Sequence, residues 1–158
     1  MGVFSHEFAT HSLVSPSRLY KAMASDFHNL LPKIVDAIHS VETIEGNGGA
    51  GTIFKVTLVE GDRSRYSFHK IEAIDEANLI YNYSVFGGTG LSETWEKITF
   101  KTIVLEGPNG GSIRNTRVKY LTKGDGEINE EVFKNDKIRA DGLVKFLEGY
   151  LLENPDYK

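Results

Sequence analysis

Cysteine is absent from the 158 residues. That removes disulfides, thiolate zinc sites and thiol nucleophiles together. Long apolar runs are missing as well; none approaches the ~18 residues that a membrane span requires. The opening MGVFSHEFATHS lacks a basic segment followed by an apolar one, so no secretory signal is expected. Phe4, Ser5 and His6 after Gly2 make a poor myristoylation context. Positive charge is not in excess: 18 Lys and Arg face 22 Asp and Glu, a net charge of −4. Phosphate backbones therefore exert no general attraction, and nucleic acid is not an expected partner. His6, His11 and His39 show no metal-ligand spacing, and His6 and His11 fall on opposite faces of a strand. The expectation is a soluble, cytoplasmic monomer without cofactor or membrane attachment.

What is present is ordinary for one globular domain over 1–158: 40% hydrophobic and 25% charged residues. Such a chain buries about 70% of the surface it would expose unfolded. Residues 3–13 alternate as a strand, with Phe4 and Phe8 in phase. Ser15 and Pro16 then cap and start a helix whose Leu19, Ala22 and Met23 share a face. A second short helix starts near Asp26 and ends near Pro32, whose ring opposes continuation. From residue 41 the pattern becomes six β-rich runs. The glycine-rich loop after Glu45 and turns at Glu60–Asp62, Asp75–Asn78, Gly87–Gly90 and Pro108–Gly111 separate them, and Lys123–Gly126 follows the last. No segment between them is long enough for a parallel crossover, so an antiparallel meander is predicted. No proline interrupts Asn129–Glu153. That stretch predicts a long helix capped by Asn129, with Phe133, Lys137, Ala140, Val144, Leu147 and Leu151 down one face. Its second half should pack firmly, and its first half should border something wetter. The fold class is α+β.

The loop IEGNGGAGTI carries Gly46, Gly48, Gly49 and Gly51. Its G-x-G-x-x-G spacing imitates a dinucleotide fingerprint, which needs a helix after the last glycine. Here TIFKVTLV follows, a strand, and no lysine completes a phosphate loop. A strand–turn–strand connection with positive φ at several positions is the expected reading. An anion nest of backbone amides is the alternative.

EGNGGAGT, HKIEAIDEAN, YNYSVFGG, EKITF, EGPNGGSI, TKGD and EGYLLENPDY together resemble the class 10 pathogenesis-related proteins of plants, the birch-pollen-allergen-like family, in their legume-type form. The resemblance covers the chain from MGVF to its end. It implies a seven-stranded curved antiparallel sheet gripping the long C-terminal helix, two short supporting helices, and an apolar cavity between. It also implies a defence-related carrier whose partners are small hydrophobic or aromatic plant metabolites or hormones, such as cytokinins and flavonoids.

By that resemblance Tyr81 and Tyr83 face the cavity, each offering apolar area and one hydroxyl. His69 is a polar ligand contact, and Ile38, Val56, Leu58 and Tyr66 are wall residues. Without the resemblance the plainer reading of Tyr81, Tyr83 and His69 is structural, and the wall residues serve as core. The departures from the family concern Phe8 and His28, where legume-type members commonly have acids, and Phe54, where they have a lysine. With Phe100 these add rings and remove charge, which predicts flatter, more apolar ligands than polar-tailed cytokinins. Some relatives are credited with ribonuclease activity. The matching positions are Glu96, Glu148 and Tyr150, but the lysine position is Phe54, and Lys55 points to the other face. As alternatives, both glutamates are simply solvated carboxylates. No acid–base set matches the family's alkaloid-pathway enzymes. A backbone cation site would fall at Pro32, Val35 and Ile38, which has no side-chain signature.

Overall fold

The computed structural model describes residues 2–89, 95–124 and 130–157. Gly90, Asp125, Gly126 and Asn129, named above for turns and a helix cap, lie outside them. The first strand, β1 (Val3–Ser12), leads into α1 (Pro16–Tyr20), a π-helical turn over Lys21–Ser25, and α2 (Phe27–Ile34). Ser15 occupies the N-cap position with Pro16 behind it, but its hydroxyl makes no capping bond. Leu19 and Ala22 are buried and Met23 packs against the core. The helix α2 runs two residues beyond Pro32. Only one backbone bond, to the His28 carbonyl, is lost there, so the short helix tolerates the ring.

Six strands follow: β2 (Ile38–Glu45), β3 (Ile53–Glu60), β4 (Arg63–Asp75), β5 (Ile80–Phe86), β6 (Trp95–Glu106) and β7 (Ser112–Thr122). They pair antiparallel with their sequence neighbours, as the turn spacing predicts. β1 then adds to the free edge of β7, giving the seven-stranded order β1-β7-β6-β5-β4-β3-β2.

The long helix α3 (Glu130–Glu153) crosses one face of this sheet. Val144, Leu147, Glu148 and Leu151 are its buried residues. All lie in the second half, as the broken stripe predicts. In the first half Phe133 and Ala140 are only half-buried, and exposed Lys137 bonds the Ala9 carbonyl at 3.1 Å and Asp141 at 3.0 Å. Leu147 and Leu151 join Phe27, Phe54, Ile71, Tyr81 and Val104 in one core between helix and sheet. Among the described residues no helix is long and apolar enough to cross a membrane.

Candidate functional site

Side chains alternate across a strand, so the pairing register sorts the sheet into an inner face beneath α3 and an outer one. Tyr83 lies opposite Ile71 and Phe100, and Tyr81 lies opposite Ile74 and Thr102. Thr102 pairs with Thr116, which pairs with Phe8. His69 pairs with Phe54 and Val85. All of these are inner positions, and the rings of His69, Tyr81, Tyr83 and Phe100 form a continuous row. Tyr83 stacks on Phe100 with centroids 4.7 Å apart and planes 8° apart. It also stacks on His69 at 5.9 Å and on Tyr81 at 5.0 Å. Phe8 completes the floor, 5.5 Å from the His6 ring.

Burial controls the charge of this row. The His69 imidazole is pushed down to about 4 by desolvation, so it is neutral at pH 7 and takes part as a neutral hydrogen-bonding ring. Burial raises the Tyr81 and Tyr83 phenols above their ordinary value, which keeps them protonated donors. His69, Tyr83, Phe100 and Phe8 nevertheless keep intermediate accessibility, in contrast to the closed core around Leu147.

The inner face also carries a charge that the sequence reading missed. Arg114 on β7 is 4% exposed, with Thr10 and Val104 as its register partners. Burial pushes the guanidinium pKa down, and the neighbouring Tyr83 and Tyr81 phenols offset this in part. The available signal was phase. Ser112, Thr116, Val118 and Tyr120 alternate with exposed Asn115, Arg117 and Lys119, and Arg114 falls in step with the buried set.

The other sequence-designated residues are distributed as follows. Phe54 is 2% exposed, edge-on to Phe27 at 5.0 Å and stacked on His28 at 5.4 Å. These two ring-for-charge positions therefore meet each other at the contact of α2 with β3. Val56 is buried and in phase with Phe54, while Leu58 pairs with half-buried Ile38 at the edge of the inner face. Tyr66 is not a wall residue. β4 runs from Arg63 to Ile71 without a register shift, so Tyr66 is out of phase with His69 and points outward. There Lys55 sits 4.8 Å above its ring and Phe68 packs edge-on. The Val35 carbonyl accepts the Ile38 N–H at 3.0 Å. Among the described residues no group of three or more His, Asp or Glu could hold a metal.

The glycine loop is the turn expected of it, with positive φ at Gly46, Gly48 and Gly51. A Cβ on Gly46 would stand 2.6 Å from the Thr52 hydroxyl. The loop amides are engaged internally: Gly48 donates to the Thr52 hydroxyl, Gly49 to the Asn47 side chain, and Gly51 to the Ile71 carbonyl. An anion nest would need those same donors free.

The ribonuclease set is not assembled. Glu96 lies exposed beside Trp95, whose partner Thr122 bonds Gly2 at the start of β1. Glu148 is at the other end of β1. There its carboxylate accepts from the Ser12 hydroxyl at 2.8 Å and the Leu13 N–H at 3.0 Å. Ten residues of β1 separate the two ends, about 30 Å of strand. Glu148 is also not a solvated carboxylate: it is 8% exposed, and the Leu13 N–H foremost holds its pKa below the ordinary glutamate value. Tyr150 packs at the core margin against Tyr157.

A hollow of about 570 Å³ is lined by the outer-phase residues Glu7, Ile80, Asn82, Lys101, Asn115 and Arg117, and also by Phe8, Thr102 and Thr116. It is open, and its charged groups are exposed, with Glu7 and Arg117 already paired. The deep ring row on the inner face is the better candidate for recognition.

Known proteins share this architecture. Over 157 residues the chain is 55% identical to class-10 pathogenesis-related protein 1 of Medicago truncatula, spanning 99% of this chain and 100% of the relative. Pathogenesis-related protein 10 of Glycine max is 52% identical over the same spans. The crystal structure of Ara h 8.0201 superposes with a TM-score of 0.88 at 45% identity, covering 97% of this chain and 100% of the other. Norcoclaurine synthase from Thalictrum flavum shares the fold alone, with a TM-score of 0.71 at 16% identity over 97% of this chain and 87% of that one. The Pathogenesis-related protein Bet v 1 family matches residues 1–154. With the seven-stranded sheet wrapped on α3 and these relatives along its whole length, the chain belongs to the Bet v 1 family of pathogenesis-related proteins.

Proposed function

We propose that the protein is a defence-related carrier that holds small ring-bearing compounds, of the flavonoid or hormone kind, between the inner face of the sheet and the first half of α3. One observation carries this reading. His69, Tyr83 and Phe100 stack in one row on the inner face, and each keeps intermediate accessibility. Farther along the same face Leu147 and Leu151 shut the core completely. A flat apolar ligand would complete the row by stacking, and protonated Tyr81 and Tyr83 would orient its polar atoms. The carrier acts as a monomer in the cytoplasm and needs no cofactor.

Titration with N-phenyl-1-naphthylamine, a neutral fluorescent dye, tests the reading. Saturable binding near one dye per chain, displaced by a flavonoid more readily than by an adenine-type cytokinin, is expected. Fluorescence that rises without saturation would remove the internal site. Stronger displacement by the cytokinin would overturn the preference for flat apolar ligands.

A further inference from the structure

Five buried side-chain atoms among the described residues have no hydrogen-bonding partner in the protein: Thr10 Oγ1, Thr102 Oγ1, Ser112 Oγ, Arg114 Nε and Thr116 Oγ1. They are not scattered. Ser112, Arg114 and Thr116 are consecutive inner-face positions of β7; Thr10 pairs with Arg114 from β1, and Thr102 pairs with Thr116 from β6. Together they make one patch spanning three adjacent strands, with Tyr81 next to Thr102 across β5.

A buried hydroxyl without a partner costs about 1–3 kcal/mol. The Arg114 guanidinium hydrogen-bonds the Tyr83 phenol, but its Nε has no partner and a neutral phenol does not answer its charge. A patch of this kind persists when something other than the protein satisfies it. The charge must also be answered. Among the described residues no carboxylate makes an ion pair with Arg114. The acid nearest in effect, Asp136, acts on Tyr83, but its carboxylate is engaged by Tyr120 and by His6, the latter at 3.0 Å. The Tyr81 and Tyr83 phenols stay protonated, so neither supplies a negative charge. A neutral ligand would leave the guanidinium as it is. A carboxylate would satisfy it, because its two oxygens match the planar fork of donors and can accept from the flanking hydroxyls as well.

Building on the binding reading above, we propose that Arg114, with the hydroxyls of Ser112, Thr10, Thr102 and Thr116, is an anion site on the floor of the ligand space, and that the ligand is an apolar ring compound bearing a carboxylate or an equivalent single negative group. The anionic head rests on β7 and β6, and the ring body extends along Tyr83 and Phe100. This revises the expectation of a purely apolar wall. A charged anchor is missing at Phe8, His28 and Phe54, and Arg114 supplies a buried charge of the opposite sign to an acidic anchor. The net charge of −4 works against general uptake of anions, so a preference for them would be local to this site.

Two dyes of nearly the same body separate the terms: 8-anilinonaphthalene-1-sulfonate carries one negative charge, and N-phenyl-1-naphthylamine carries none. The parent protein is expected to bind the sulfonate at least about tenfold more tightly. Arg114→Met should lose that advantage while holding the neutral dye as well as or better than the parent, and Arg114→Lys should recover part of it. The methionine variant should fold: it gives up the hydrogen bond to the Tyr83 phenol but removes a buried charge that no carboxylate among the described residues answers. A second measurement needs no variant: 1-naphthaleneacetate should raise the thermal midpoint of the parent protein, and neutral 1-naphthaleneacetamide should not. A sulfonate-to-neutral affinity ratio unchanged in Arg114→Met, or equal stabilisation by acid and amide, overturns the anion site and leaves the carrier reading standing. Saturable binding of neither dye removes the carrier reading and the anion site with it.

Discussion

Replacing Glu148 with alanine tests whether this carboxylate ties α3 to the end of β1. Its oxygen accepts the Ser12 hydroxyl at 2.8 Å and the Leu13 N–H at 3.0 Å, and the side chain is 8% exposed. Hydrogen bonds to an ionised acceptor contribute about 1.5–3 kcal/mol each. The Ser12 oxygen still receives the Val14 N–H at 3.1 Å, so part of the local network survives the change. A net loss of about 2–4 kcal/mol follows. With a urea slope of about 2 kcal/mol per molar, the unfolding midpoint should fall by about 1–2 M at unchanged slope. Ser12→Ala should cost less, and the double variant should cost less than the two single losses added, because they share one bond.

The pH dependence has a definite sign. The folded carboxyl pKa lies below the ordinary value of 4.5. Its contribution is therefore complete above about 4.5 and is lost as pH falls through the lower folded value. Glu148→Gln, which cannot ionise, should lack that acid limb. A midpoint for the alanine variant within about 0.2 M of the parent would refute the clamp.

His69 should remain neutral far into acid. Its pKa falls from 6.5 to about 4 through burial, so its effect on stability is absent above 6.5 and grows as pH drops toward 4, up to about 3 kcal/mol against the fold. A proton NMR titration of the imidazole should show a midpoint near 4, and His69→Gln should flatten that part of the stability profile; a midpoint above 6 would contradict it. Phe54→Lys introduces a charge at a site 2% exposed between Phe27 and His28. An unpaired ammonium there should cost more than about 3 kcal/mol and lower the thermal midpoint by about 10 °C, and an unchanged midpoint would show that the site admits water.

Much of the fold was legible because its signals are local. Turn residues at regular spacing and two-residue alternation dictate the meander of β2–β7, since both act through the backbone of the residues that carry them. The gap in the α3 stripe at Lys137 likewise foretold a helix sealed at one end only. Arg114 was legible in the same way, as an arginine in the buried phase of SIRNTRVKY, although resemblance drew attention to Tyr66 instead. Tyr66 and His69 are three positions apart on unbroken strand, and that odd offset puts them on opposite faces.

Other features depend on residues far apart in the chain. Glu148 meets Ser12 across 136 positions, β1 finds β7 across more than a hundred, and His28 stacks on Phe54 only because α2 lies against β3. The glutamate's helix position says nothing of the N–H it will meet, and a threonine in a strand does not reveal whether its hydroxyl will find a partner. Composition and periodicity therefore determine which faces are buried. Which buried polar groups find partners is decided by the tertiary structure, because pairing depends on what the fold brings within three ångströms.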